Sequence, residues 1–285
     1  GYLTKLLNLG HKVAICDQLE PPKTGKLVKR GITRILTPGT LLEDQQLDAS
    51  SNHFLVALDL DKKAAFGSWL DLSTGKFMLT QSSSLQDFIS ILSTLSPREV
   101  LLPESLSSKV AYWGESDLFQ DELDRILTDV TQTERPDFDF DQKAGAREVM
   151  ESLGVMNLEG FGIGLSHPGL GPAGALLVYA QDVLKGKPGN LRRIEEFSDG
   201  EYLLVDPSTQ RNLEIFKTSA QSRKGSLLDS MDGTVSAGGA RLLEAYLSSP
   251  QRDLTEIRRR QNCVSEFSTL PVVVDDVAGI LKRGS

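Results

Sequence analysis

The chain has 285 residues, 39% of them hydrophobic and 25% charged, which is the balance of an ordinary globular protein with room for about two domains. Its net charge of -8 excludes the global basic field of a dedicated nucleic-acid binder and leaves room only for a local basic patch. Two widely separated cysteines, Cys16 and Cys263, exclude a disulfide framework and fit no zinc site, so a reducing, cytoplasmic location is expected; no apolar run approaches the roughly 18 residues a membrane span needs.

Residues 1–9 predict an amphipathic helix with Leu3, Leu6 and Leu7 on one face, closed by Gly10. Val13-Ala14-Ile15-Cys16 is a short strand, and a basic loop with Lys23, Lys26, Lys29 and Arg30 leads to a second strand over 32–36. Thr37-Pro38-Gly39-Thr40 stops that strand. Residues 1–40 therefore form the tail of a small α/β unit, and the polar stretch 41–52 reads as a linker.

Residues 53–190 form the next domain. Strand-like runs over 54–58, 64–70 and 76–80, separated by short turns, predict an antiparallel meander. A helix follows with Ser84 as N-cap and Leu85, Phe88, Ile89 and Leu92 at helical spacing; Pro97 ends it before a fourth strand over 99–102. The order β-β-β-α-β-α predicts a mixed sheet covered by helices. Residues 112–145 read as acidic and irregular, with a short helix over 121–129. A helical pattern starts near Gly145, and 173–184 form another helix after a glycine-rich run. A linker over 191–200 precedes a mainly α-helical segment, 201–285, with a strand over 202–206 and helices over 208–217, 226–231, 239–247 and 253–267. The helical opening Tyr2-Leu3-Thr4 and the close on Leu281-Lys282-Arg283 suit a cut from a larger protein or a simple trim.

Local motifs yield no enzyme. Gly169-Leu170-Gly171-Pro172-Ala173-Gly174 fits G-x-G-x-x-G, but Ser166-His167-Pro168 before it is no strand and Pro172 removes an N–H donor. A tight helix entry is the better reading. No phosphate-cradling G-x-x-x-x-G-K-[ST] occurs. Asp59, Asp61 and Asp71 fall at predicted strand ends, where a nuclease of the ribonuclease H type would hold two metal ions; hairpin-turn aspartates are the alternative. His11, His53 and His167 are too dispersed for a metal site, and His11 follows a helix-ending glycine. Lys26, Lys29, Arg30 and Arg34 are the candidate DNA-backbone residues, weighed against a solvated loop. Arg192-Arg193 and Arg258-Arg259-Arg260 are further basic clusters, the latter on a predicted helix face.

Longer strings carry a resemblance. Gly10-His11-Lys12-Val13-Ala14-Ile15-Cys16-Asp17-Gln18 and Arg34-Ile35-Leu36-Thr37-Pro38-Gly39-Thr40 resemble the end of the mismatch-reading domain of the MutS family. Gly160-Phe161-Gly162-Ile163 through Tyr179-Ala180 resembles the end of its connector domain. Asp206-Pro207-Ser208-Thr209-Gln210-Arg211-Asn212-Leu213, Gly225-Ser226-Leu227-Leu228-Asp229-Ser230-Met231-Asp232 and Gly239-Ala240-Arg241-Leu242-Leu243-Glu244-Ala245-Tyr246 resemble the opening of its core. Asp17, Gly233, Ala237 and Tyr246 depart from the family's usual Glu, bulkier residue, Met and Trp.

The resemblance implies an α/β chain: a ribonuclease H-like connector with a mixed sheet and no nuclease activity, preceded by the tail of a small α/β domain and followed by a helical core segment. The parent is expected to be a homodimeric, cytoplasmic DNA clamp that binds mismatched double-stranded DNA and a MutL-type protein. The mispair wedge is expected upstream of this segment. ATP and Mg are expected in a C-terminal domain, leaving this chain with no catalytic site. A metal-dependent nuclease using Asp59 and Asp71, and an ATPase-lacking interaction module, are the competing readings.

Overall fold

Helix α1 (Tyr2–Asn8) ends as its glycine predicts. Gly10 takes φ +79°, and the N–H groups of Gly10 and His11 donate to the carbonyls of Leu7 and Leu6, a Schellman closure that only a left-handed residue allows. Leu7 is buried against Leu36, with Val13 and Ile15 packed alongside. These belong to strands β1 (Val13–Gln18) and β2 (Arg30–Leu36), an antiparallel pair with a register shift between Ile15 and Cys16. The computed structural model describes residues 2–21, 28–40, 54–106, 116–128, 130–197, 200, 202–203 and 205–283. The chain divides into two units, one of residues 1–47, 53–89 and 96–197, the other of 48–52, 90–95 and 198–285.

The first unit is built on a six-stranded mixed sheet. Strands β3 (Leu55–Leu60), β4 (Ala65–Asp71) and β5 (Lys76–Ser82) form the expected antiparallel meander. After α2 (Leu85–Leu95), β6 (Glu99–Pro103) returns beside β3 in parallel. Helix α3 (Ser116–Leu127) leads to β7 (Thr131–Arg135), parallel to β6, and a two-residue β8 (Glu195–Glu196) pairs with β5. The order β7-β6-β3-β4-β5-β8 places the meander's first strand between an antiparallel neighbour, β4, and a parallel one, β6, in the mixed sheet expected of a ribonuclease H-like connector.

Strand β4 is buried at every residue, which is why Ala65-Phe66-Gly67-Ser68-Trp69-Leu70 shows no polar alternation. One sheet face, with Leu55 and Ala57, packs on α4 (Gln142–Leu153) and α5 (Leu170–Leu184). The opposite face carries Gly67, the register partner of Leu58, against the Phe88 ring of α2. Ser84 caps α2 as predicted, accepting from the Asp87 N–H at 3.2 Å. Helix α4 starts three residues earlier than Gly145 because Asp141 caps it, accepting from the Ala144 N–H at 2.7 Å. Gly154, at φ +67°, ends it.

The second unit is helical: α6 (Pro207–Asn212), α7 (Leu227–Met231), α8 (Ala237–Ser248), α9 (Leu254–Ser268) and α10 (Pro271–Arg283). Asp206, Ser226, Ser236 and Asp253 cap the first four, each with a side-chain oxygen on a first-turn N–H. Hydrogen bonds from Ser208 and Thr209 hold the Asp206 carboxyl far below the usual carboxylate range. Of the strand expected over 202–206, the described residues show one bridge, Tyr202 to Gln251. The helix expected over 208–217 stops at Asn212, because Glu214 enters the left-handed region at φ +50° and the N–H groups of Glu214 and Ile215 close back on Arg211 and Gln210. No glycine announces that stop. Among the described residues no helix is long and apolar enough to cross a membrane.

Candidate nucleic-acid interface and a buried joint

Strand β2 alternates in the way a half-exposed ribbon must. Arg30, Ile32 and Arg34 are exposed, while Gly31, Thr33 and Ile35 are half-buried. The register shift lies between the two arginines: Arg34 is registered with Ile15, and Arg30 with Gln18, so they do not share one strand face. Gln18 and Cys16 lie across from Arg30 and Ile32, and Lys29 is exposed just before the strand. Lys26 and Lys23 lie outside the described residues. Exposed guanidinium groups of this kind suit contact with a polyanionic backbone.

The strand-end aspartates do not converge. Asp59 pairs in register with Phe66 near the β3–β4 turn, whereas Asp71 pairs with Lys76 at the far end of β4. Five residues of extended strand, roughly 17 Å, separate those levels. Two-metal chemistry needs ions about 4 Å apart, so these two carboxylates cannot share such a site. Asp61 and Asp71 each serve a turn: Asp61 Oδ1 accepts from the N–H groups of Lys63 and Ala64, and Asp71 Oδ1 from those of Ser73 and Thr74, while Asp59 Oδ1 accepts from the Leu60 N–H.

The glycine motif is packing chemistry, as the sequence suggested. A Cβ on Gly171 would meet the Phe140 carbonyl oxygen at 2.2 Å, and one on Gly174 would meet the Gly145 Cα at 2.3 Å. The motif brings the backbones of α4 and α5 together. His167 Nδ1 accepts from the Gly169 N–H at 3.1 Å, while its Nε2 lies 3.1 Å from Glu196, so it braces the same entry. His11 contributes to helix termination through its backbone, and His53 lies outside the described residues. On α9, Glu256 holds Arg259 and Arg260, which pull its carboxyl down to about 2. Arg260 also stacks 3.8 Å over Tyr246.

A buried polar cluster escaped the sequence reading. Glu99, the first residue of β6, is fully buried. Its Oε1 accepts from the Tyr179 hydroxyl at 2.6 Å and the Thr133 hydroxyl at 2.7 Å, and its Oε2 accepts from the Gly39 N–H at 3.2 Å. Lys12 Nζ stands 3.5 Å from Oε1 and donates to Thr133 at 2.6 Å. A Cβ on Gly39 would strike the Glu99 Cβ at 2.8 Å, so glycine is needed for this approach. Burial, followed by the neighbouring Glu99 charge, raises the Tyr179 hydroxyl well above its ordinary range and keeps it a donor. A glutamate opening an apolar strand is the only sequence trace of this cluster; its partners come from four separate segments.

Three MutS family models match collinearly: MutS domain I over residues 1–45, MutS domain II over 53–194 and MutS domain III over 208–283. The chain belongs to the MutS family. It is 36% identical to the DNA mismatch repair protein MutS of Symbiobacterium thermophilum over 99% of this chain and 32% of that protein. The corresponding protein of Syntrophobacter fumaroxidans is also 36% identical, over 99% of this chain and 31% of its own length. That of Thermosynechococcus vestitus is 36% identical over 93% of this chain and 31% of its own. The chain thus spans about a third of these curated MutS relatives. In MutS terms the Glu99 cluster is a joint. Lys12 and Gly39 fall within the domain I match, and Glu99, Thr133 and Tyr179 within the domain II match.

Proposed function

We propose that this chain is the linking segment of a mismatch-recognition protein, carrying the end of the DNA-reading domain, the connector and the start of the core. In the parent protein it serves DNA mismatch repair by passing the state of bound mismatched double-stranded DNA toward an ATP-driven C-terminal domain, where ATP and Mg bind. The connector presents a docking face to a MutL-type protein, the parent acts as a cytoplasmic homodimer, and no catalytic residue lies in this chain. The observation that carries the reading is the order of the three family matches along one chain, with a buried carboxylate joining the first to the second.

Within that reading, Arg30 and Arg34, with Lys29 and Lys26, touch the DNA backbone and set no sequence preference. Changing Arg30 and Arg34 together to Ala in the full-length protein is expected to weaken mismatched and matched duplexes alike. It should also flatten the dependence of log K on log salt by about 1.8, at roughly 0.9 per lost phosphate contact. Fluorescence anisotropy at four salt concentrations measures this. An unchanged slope removes these residues from the interface, and equal affinity of the unaltered protein for mismatched and matched duplexes removes the functional reading itself.

A further inference from the structure

The Glu99 carboxylate has more hydrogen-bond partners than a strand terminus requires, and their origins are informative. Gly39 leaves β2, and Lys12 enters β1, so both open ends of the β1–β2 hairpin are tied to one residue of β6. Tyr179 from α5 and Thr133 from β7 hold the same carboxylate from the connector side. Thr37 and Thr40, both buried, bond to each other at 2.8 Å where β2 exits, and so fix the turn that presents the Gly39 N–H. A buried acceptor of this kind costs much to leave unpaired, so the hairpin's orientation is set by whether the cluster is complete. The cluster is asymmetric in exposure. Glu99 is fully buried, whereas the Lys12 side chain is 40% exposed and can leave for water. Thr131 adds one further tie, its hydroxyl donating to the Gly10 carbonyl at 3.3 Å.

We propose that Glu99 and Lys12 form a latch that fixes the β1–β2 hairpin on the connector sheet, with Lys12 as the releasable half. A hairpin that ends the DNA-reading domain then moves relative to the sheet only when the latch loosens; this clause rests on the functional reading above. Glu99 is a positioning residue here: it sets the hairpin's angle and touches no ligand. Lys12→Met removes the releasable contact and leaves the buried acceptor with its Tyr179, Thr133 and Gly39 donors. Glu99→Gln keeps the shape and weakens the attraction on Lys12.

The test uses the full-length protein with Cys263→Ser, a spin label on the exposed Cys16 of β1 and a second on a cysteine introduced at the exposed Glu159. Electron-electron distance measurements are expected to show a narrow distribution that broadens in Lys12→Met and in Glu99→Gln and narrows again in Lys12→Arg. Amide exchange in residues 13–18 and 30–36 should accelerate about tenfold in both variants, while residues 55–60 and 65–71 keep their rates. Unchanged distributions in both variants overturn the latch. Equal acceleration across hairpin and sheet also overturns it, since the cluster would then only stabilise the unit as a whole. Adding mismatched duplex separates the two readings. If the latch variants broaden as expected but duplex leaves the unaltered protein's distribution unchanged, the latch stands and the DNA-reading assignment of the hairpin falls.

Discussion

Gly174→Val is expected to cost the first unit more than about 3 kcal/mol and to abolish its cooperative folding where the margin is smaller than that. The reason is backbone contact. The Gly174 Cβ position lies 2.3 Å from the Cα of Gly145, and the Gly145 Cβ position lies 2.0 Å from the Leu170 carbonyl oxygen. No side chain can swing aside, so α4 and α5 must separate. Helix α5 is buried nearly all round, with Leu170, Ala173, Leu176, Leu177 and Ala180 fully covered, and separation opens that core. Gly145→Val should behave in the same way, whereas Gly238→Ala, with nothing within 4 Å of its Cβ position, should be neutral or slightly stabilising. Urea unfolding, with amide exchange over 170–184 for the two valine variants and over 237–248 for Gly238→Ala, measures all three. A Gly174→Val protein as protected as the parent would remove the close helix approach from the account.

Trp69→Ala is expected to cost about 3–5 kcal/mol, the usual range for deleting a large aromatic side chain from a core. Trp69 sits in the central strand β4, 2% exposed, with its ring edge-on to Phe197 at 5.5 Å between centroids. The Thr80 hydroxyl donates to the Phe197 carbonyl at 3.1 Å, so the ring pair fastens the segment after α5 to the sheet. Trp69→Phe should cost less than half as much, for a specific reason. The indole N–H is buried and has no hydrogen-bond partner among the described residues, so Phe keeps a ring and removes an unsatisfied donor. Equal losses for Ala and Phe, read by urea denaturation, would mean that the indole's polar edge is satisfied after all.

Most of the sheet was legible because its signals are local. The runs 54–58, 64–70 and 76–80 are apolar and separated by turn residues, and they became β3, β4 and β5. Strand β7 was not legible. Thr131-Gln132-Thr133-Glu134-Arg135 is polar throughout and gains its place as a sheet edge from β6 alone. The same holds for β8, two glutamates that pair only because β5 lies alongside. Helix α10 opens on Pro271-Val272-Val273-Val274, a β-branched run that argues locally against helix, and it was not foreseen. The basic residues of β2 were visible as a charge cluster, and the structure adds that Arg30 and Arg34 are both exposed, on either side of a register shift that sequence does not announce. The joint was invisible because Lys12, Gly39, Glu99, Thr133 and Tyr179 meet only in three dimensions.

That joint also changes what the chain's motifs mean. The G-x-G-x-x-G run and the strand-end aspartates have the look of chemistry, yet one packs helices and the others shape turns. The buried polar cluster around Glu99 bridges the first family match to the second.

The most direct test is mismatch-dependent ATP turnover by the full-length protein carrying Lys12→Met and Glu99→Gln together. The expected result is retained preference for mismatched over matched duplex and unchanged ATP hydrolysis without DNA, with the mismatch-dependent change in hydrolysis lost or strongly reduced. A double variant whose ATP turnover still responds to a mismatch as the parent's does would contradict the claim that this segment carries the signal through its Glu99 joint.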